Sequence, residues 1–483
     1  MVRNSSQFDA FYKQYGNALS DQRAALFIGA GMSVDAGLPT WPNLLRDTAT
    51  ELKLDVDRET DLVALAQFHL NVKKVRTRLN QLIVEEYGKD VDITRNHRLL
   101  ANLPIETIWT TNYDQLLEKA FREVGKRCDI RVTKGNFTSP VRGKDVTIYK
   151  MHGDVSKPED AILTKDDYEI YSRKNEFFTD ALRGDLVEKT FLFLGFSFTD
   201  PNIDYILSRI RLVMGNDAQQ HYCVMRWPEK PKRSGKNKAQ YDYDMVRLEL
   251  RISDLKRYGI EALMINDYSE ITEILEELNN RSHLKNIFIS GSAYNYPVMP
   301  KTQVENLSYL LGQETIRQGF NLVSGLGLGI GGNVLIGAIE EFYRDGKSKL
   351  TDRVIMRPFP QIARTDPLRK QINSKYRRDM ISTSGYTIFM CGNKINHETD
   401  EVVSSDGVRE EFRLSRELKK FVIPIGATGD VAKEIWDEVM ASPDEFFPGF
   451  NVQKYLQILG NPDKTNQELV DAIFAIIRLT STK

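Results

Sequence analysis

Apolar runs that stop at a glycine loop or at a short polar cluster recur along this chain, and their spacing divides it into segments. Leu26-Phe27-Ile28 runs into Gly29-Ala30-Gly31-Met32-Ser33, which predicts a strand followed by a glycine loop. Residues 8–20 ahead of it predict a short amphipathic helix, and Pro42-Asn43-Leu44-Leu45 restarts helix after Trp41. Between Asp61 and Tyr87, Leu62, Leu65, Ala66 and His69, then Leu79, Leu82 and Ile83, form a one-sided helical stripe. This stretch is expected to be a helical insertion over the site that the glycine loop begins.

Three further strands end in polar clusters. Residues 105–111 stop at Asn112-Tyr113-Asp114 before a helical 115–123. Residues 146–150 stop at Met151-His152-Gly153-Asp154, and 191–194 reach Gly195-Phe196-Ser197-Phe198-Thr199-Asp200-Pro201-Asn202. In an open parallel sheet, ligands bind beyond the carboxyl ends of strands, so these ends and the glycine loop are expected on one crevice. Residues 221–225 add a strand, and 228–242, with five lysines or arginines, read as an exposed loop. Residues 271–278 are helical, and Asn279-Asn280-Arg281-Ser282-His283 is read as a polar break, which gives domains of 1–283 and 284–483.

The second half repeats this logic with different residues. Residues 286–293 predict a strand and a glycine turn, and 320–333 a strand, a glycine loop and a helix. Strands follow at 354–356, 386–390 and 421–425, with a helix over 407–420. The expected fold class is α/β: two Rossmann-like domains with parallel sheets.

Composition narrows the function classes. At roughly 150 residues per domain, 483 residues allow about two to four domains. The formal net charge of −1, from 66 basic and 67 acidic side chains, gives no field that would draw in nucleic acid or an anionic membrane. Cys128, Cys223 and Cys391 are too far apart for a C-x-x-C metal pair or a disulfide framework, so no metal is expected. The first residues have no apolar leader core, and no run of about 18 apolar residues occurs. A cytoplasmic protein is expected.

Two residues stand out for chemistry. His152 places an imidazole at a strand end, where an unperturbed pKa near 6.5 suits a general base. Asn112 offers a donor and an acceptor without adding charge beside a pyrophosphate, and it is alternatively an Asx cap on the next helix. Asp114 is either structural or directed at a ribose, and Asp35 is either a helix cap or a sugar contact. Ser197 with Gly195 offers hydrogen bonds to phosphate.

Gly29-Ala30-Gly31-Met32-Ser33, Gly37-Leu38-Pro39-Thr40-Trp41, Thr111-Asn112-Tyr113-Asp114 and Lys150-Met151-His152-Gly153 resemble, in order, the NAD-binding and catalytic motifs of sirtuins. The resemblance implies NAD+ lying across the crevice with its nicotinamide bond near Asn112 and His152. It also implies cofactor-type contacts from Gly29, Ala30, Gly31, Ser33, Asp35, Thr40 and Trp41, joined by Asp114, Gly195 and Ser197. The four-cysteine zinc module of protein-deacetylating sirtuins has no counterpart here. Without an acyl-lysine nucleophile, water captures the oxocarbenium-like intermediate, giving nicotinamide and ADP-ribose.

The C-terminal half resembles the SLOG family of nucleotide sensors through Gly291-Ser292 and the loop Gly325-Leu326-Gly327-Leu328-Gly329-Ile330-Gly331-Gly332. A basic cluster, Arg364, Arg369, Lys370, Lys375, Arg377 and Arg378, follows, with Lys394 at a strand end and Glu410 near a helix start. Arginine forks suit pyrophosphate, and a carboxylate suits ribose hydroxyls. Ser290, Gly291, Gly325, Leu326, Gly327, Gly329 and Gly331, with Arg377, Arg378, Lys394 and Glu410, are therefore the expected nucleotide site of this half. A sirtuin-like domain followed by a SLOG domain resembles the effectors of Thoeris anti-phage systems. That resemblance implies an NAD+ hydrolase activated by a cyclic ADP-ribose isomer that binds the SLOG domain and that a TIR-domain partner makes, and a homotetramer. The other readings are an NAD-dependent protein deacylase and a non-catalytic nucleotide-sensing scaffold.

Overall fold

The computed structural model describes residues 5–198, 200–215, 219–230, 238–345, 350–360, 362–363, 365–396 and 399–481. It divides into two compact units, Met1–Asn279 and Asn280–Lys483. Helix Glu270–Ser282 runs through the stretch read as a polar break.

Seven parallel strands form the sheet of the first unit: β1 (Ala24–Ile28), β2 (Thr107–Thr110), β3 (Cys128–Arg131), β4 (Val146–Lys150), β5 (Thr190–Leu194), β6 (His221–Arg226) and β7 (Ile260–Ile265). Their order is β3-β4-β2-β1-β5-β6-β7. Both faces of this sheet are covered, which is why its central strands read as unbroken apolar runs. Ala24, Leu26 and Ile28 of β1 enter one apolar cluster with Leu192 and Leu194 of β5. Ala25 and Phe27 enter a second, with Phe191 and Phe193. From β1 the chain crosses to β2 on one side, and it later returns to β5 on the other, so the loops after these strands diverge. That divergence opens a crevice at the carboxyl edge.

The expected insertion is two helices, Leu62–Lys73 and Thr77–Tyr87. The Asp61 side chain accepts the Ala64 amide (2.9 Å) and so caps the first of them. Leu65, Ala66, Leu79, Leu82 and Ile83 join the cluster that contains Leu26. The glycine loop passes through 3₁₀ turns at Ala30–Met32 and Val34–Ala36 before helix restarts, as expected, in the short Trp41–Leu44. One local expectation is corrected. Helix Lys238–Lys256 begins inside the stretch read as a loop, of which 231–237 lie outside the described residues. Strands β3 and β7 had no sequence expectation. Among the described residues no helix is long and apolar enough to cross a membrane.

His221 opens β6 as a buried ring whose Nδ1 accepts the Phe191 amide from β5 (3.1 Å). Burial pushes this imidazole down to about 4. The unfolded chain takes up the same proton near pH ~6.5, so between about 6.5 and 4 the unfolded state binds more protons. The stability from this group is therefore complete above that window and drains as the pH falls through it, by up to about 3 kcal/mol. Thermal melts from pH 7 to 4 should record the fall, and His221→Gln should flatten it. An unchanged slope in the variant would place the acid sensitivity elsewhere.

The second unit holds β8 (Asn286–Ser292), β9 (Asn321–Ser324), β10 (Val354–Met356), β11 (Tyr386–Cys391), the hairpin strands β12 (Asn393–Asn396) and β13 (Glu401–Ser404), and β14 (Phe421–Pro424). The order β10-β9-β8-β11-β14 is again parallel throughout, with its switch between β8 and β11. Ile287 and Ile289 of β8 face one core and Phe288 the other. The glycine loop after β9 leads into helix Gly331–Asp345 as expected.

Candidate active site

At the carboxyl edge of the first sheet, two backbone loops lie against each other. The Gly29 amide donates to the Leu194 carbonyl (2.9 Å) and the Gly31 amide to the Gly195 carbonyl (3.0 Å). A Cβ on Gly29 would stand 2.4 Å from the Gly195 oxygen, and one on Gly195, whose φ is +62°, would stand 2.5 Å from the Met32 nitrogen. These glycines thus let the loops after β1 and β5 interlock. The Gly29 and Gly31 amides are thus taken up by neighbouring backbone carbonyls.

Asn112 lies two residues beyond Thr110 of β2, and His152 two residues beyond Lys150 of β4; Thr110 and Lys150 are register partners. The two side chains therefore leave adjacent strand ends. Asn112 is buried, with Nδ2 donating to the Gly29 carbonyl (3.2 Å) and to Ser33 Oγ (3.2 Å). Its Oδ1 has no hydrogen-bond partner. An orphaned buried acceptor costs about 1–3 kcal/mol, which marks a place for a substrate hydroxyl or water. Ser33 Oγ donates to Asp114 Oδ2 (2.8 Å), while Asp114 Oδ1 accepts the Leu116 amide (3.1 Å). Asp114, and not Asn112, serves the start of helix Leu116–Glu123.

His152 is 2% exposed, and its Nε2 lies 3.1 Å from Asp200 Oδ2 without the alignment of a formed hydrogen bond. Tyr168 and Tyr171 meet the ring edge-on, with centroids 5.5 and 6.2 Å away. Beneath the strand ends, the buried Lys150 Nζ pairs with Glu118 (3.0 Å) and with Asp154, and donates to the Asp114 carbonyl. Burial raises the Glu118 carboxyl above its ordinary range. Burial would also raise Asp154, but the Lys150 ammonium outweighs it and holds that carboxyl down.

The insertion is fastened to this edge. Tyr87 donates to the Pro39 carbonyl (3.1 Å), and Gln67 to Asp166 (3.0 Å). Arg76 Nη1 donates to both carboxylate oxygens of Asp167 (2.9 and 2.7 Å). The segment it grips begins where the Ile162 amide donates to the His152 carbonyl (2.9 Å).

The other expected contacts are spread out. Asp35 is exposed in the turn Val34–Ala36, whose N-cap position belongs to Ser33, so it is no cap. Thr40 is the N-cap residue of Trp41–Leu44, and Trp41 is half-buried against the core. Ala30 is half-buried, and Ser197 is exposed beyond Gly195.

In the second unit, the loop after β9 interlocks with β8 in the same manner: a Cβ on Gly327 would lie 2.0 Å from the Gly291 oxygen. Leu326 takes a positive φ of 56°, with its amide on Ser324 Oγ (3.2 Å). Gly329 also has a positive φ, and a Cβ on Gly331 would meet Leu326. Ser290 is buried and donates to Glu411 (2.6 Å), and Arg377 reaches both Glu411 (3.4 Å) and Glu410 (2.6 Å) while covering the Phe359 ring. Ser290, Arg377 and Glu410 thus come together. Arg378 turns to Glu417 (2.6 Å) on the exposed side, and Lys394 to Asp406 (2.7 Å). Arg364 lies outside the described residues.

Asp200 and Lys150 lie within segments expected at the crevice, but the sequence assigns no role of their own to them, and none to Glu411. Asp200-Pro201 is a recognisable helix start, since an N-cap residue followed by proline at the first helical position is a common signature. Among the described residues, no cluster of three or more histidine, cysteine or carboxylate side chains is placed to hold a metal ion.

Comparison with known proteins agrees with both units. Residues 106–246 match the SIR2-like domain, and residues 270–480 match the Sir2- and TIR-associating SLOG family. The protein named NAD(+) hydrolase ThsA from Bacillus cereus (strain MSX-D12) is 42% identical over 476 residues, 98% of each chain. Its namesake from Acinetobacter baumannii (strain 532279) is 43% identical over 434 residues, 89% of this chain and 90% of its own. That from Cytobacillus dafuensis is 39% identical over 478 residues, 97% of this chain and 96% of its own. With SIR2-like residues ahead of SLOG residues and this identity sustained along nearly the whole length, the chain belongs to the ThsA family.

Proposed function

We propose that the protein hydrolyses NAD+ to nicotinamide and ADP-ribose at the carboxyl edge of its first sheet. The observation that supports this most directly is the buried, unpartnered Asn112 Oδ1 beside Gly29, at the strand end next to that of His152. The relatives' shared name, NAD(+) hydrolase ThsA, supports the same reaction. In the reaction the C1′–N bond breaks and its electron pair passes to the nicotinamide ring nitrogen, cancelling the ring's positive charge. Water adds to C1′. Asn112 Oδ1 accepts a hydrogen bond from a ribose hydroxyl or from that water, and His152 takes the proton that is lost.

The proposal extends to control. A cyclic ADP-ribose isomer, made by a TIR-domain partner, binds the crevice of the second unit, and a homotetramer responds by releasing NAD+ hydrolysis, which depletes the cell's NAD+ during phage infection. The gathering of Ser290, Arg377 and Glu410 through Glu411 supports that crevice as a place where the polar groups of a nucleotide are met. Activation requires that the ligand bind the active arrangement more tightly than the resting one.

The test is purified protein with NAD+, alone and with cyclic ADP-ribose and its glycosidic isomers supplied one at a time, nicotinamide being followed by chromatography. Release stimulated by one isomer is the expected outcome. Release only when an acylated peptide is present would make the protein a deacylase, and no release in any condition would leave a nucleotide-binding scaffold.

A further inference from the structure

Asp200 belongs to a loop remote from the strand that carries His152. In the sheet, β4 and β5 are separated by β2 and β1, so the carboxylate reaches the imidazole only because the segment after β5 comes back across the crevice. Once there, it is held from several directions. Oδ1 accepts the amides of Asn202 (2.9 Å) and Ile203 (3.2 Å) at the start of helix Pro201–Met214. Oδ2 accepts the Tyr168 hydroxyl (3.2 Å) and faces His152 Nε2 at 3.1 Å. Tyr168 and Tyr171 close on the edges of the ring, and the Tyr171 hydroxyl is itself fixed on the Met151 carbonyl (3.0 Å).

We propose that Asp200 is the positioning residue for His152: it holds the proton on Nε2, so that the neutral ring presents Nδ1 as its basic nitrogen. An ionised carboxylate only accepts hydrogen bonds, so the nitrogen facing it must be the protonated one. Burial by itself would raise the Asp200 carboxyl, but the imidazole and the two helix amides outweigh it and keep the group ionised. The imperfect alignment of the pair agrees with a contact that tightens when substrate is bound. With Nε2 occupied, the proton lost in the reaction goes to Nδ1, and Asp200 stabilises the imidazolium that forms while staying unprotonated itself. The inference rests on His152 being the base of the proposed hydrolysis.

Asp200→Asn is the decisive variant. Asparagine keeps the shape, and its oxygen still caps the helix. Its NH2, turned to Nε2, selects the opposite tautomer. We expect kcat for NAD+ hydrolysis to fall about 100-fold or more, with KM within about twofold and only a small drop in melting temperature, because the Tyr168 hydroxyl loses its acceptor. Asp200→Ser, which also caps the helix but neither accepts from nor donates to the ring at that distance, should show an intermediate kcat. Ring ¹⁵N shifts of His152, assigned by difference from His152→Ala, should report the Nε2–H form in the wild type and the Nδ1–H form in Asp200→Asn. Full kcat in Asp200→Asn, or an Nδ1–H wild-type ring, overturns the positioning role even if His152→Ala is dead. Retained activity in His152→Ala, or no hydrolysis by the wild type, overturns the underlying reading and the inference with it.

Discussion

Alanine at Asn112 or at His152 should lower kcat for NAD+ hydrolysis by about 10²–10⁴-fold, the range over which positioned acid–base and hydrogen-bonding groups contribute. The two losses have different origins. Asn112→Ala removes the orphaned Oδ1 and also frees the Gly29 carbonyl and Ser33 Oγ from their shared donor, so a fall in stability on the order of 1 kcal/mol accompanies the fall in rate. His152→Ala removes the base but leaves Asp200 with two helix amides and the Tyr168 hydroxyl, enough to keep that carboxylate satisfied. Its melting temperature should therefore move little. Nicotinamide release and thermal melts of the full chain separate the two effects, and wild-type rates in either variant would rule out the site.

Lys150→Met should produce the largest stability change, about 3–5 kcal/mol, because removing one member of a buried ion cluster leaves an uncompensated charge. Asp154 retains the Gln115 side chain (2.8 Å) and the Ser156 amide (2.8 Å). Glu118 loses its cation, and it is the carboxyl that burial already pushes up. The damage should therefore lessen as the pH falls, since a protonated Glu118 is the tolerable state once the ammonium is gone. Lys150→Met combined with Glu118→Leu should recover much of the loss. A melting temperature that falls by on the order of 10 °C in the single variant and returns in the double one is the expected pattern. No recovery would mean that Lys150 acts through the Asp114 carbonyl rather than through charge.

The central strands are legible from sequence because both of their faces are buried: Leu26-Phe27-Ile28 and Phe191-Leu192-Phe193-Leu194 have no polar side to break the run. The strands without an expectation, β3 and β7, are the two edges of that sheet. Edge strands tolerate charge. Asp129 in β3 pairs with Arg131 and Lys144, so that segment has no apolar pattern, whereas β7 is apolar but for Glu261, which accepts Gln7 and Gln220. At the site, Asn112 and His152 are legible because each interrupts an apolar strand at its carboxyl end. Asp200 is not, since its partner lies 48 positions earlier in the chain and three places away in the sheet order, and nothing local announces the pairing. Lys150 escapes notice for the opposite reason: a lysine at a strand end ordinarily carries its ammonium out to solvent.

The interlocked glycines have a practical consequence for anyone re-engineering what either crevice accepts. The space beside positions 29 and 195 in one unit and 291 and 327 in the other is filled by the backbone of a neighbouring loop or strand, so a side chain added there collides with the protein before it meets any nucleotide. A randomised library screened for an altered ligand would return glycine at these four positions whatever the bait. The useful diversity lies in the side chains around them, with Ala30 and Ser197 at one rim and Leu328 and Arg377 at the other.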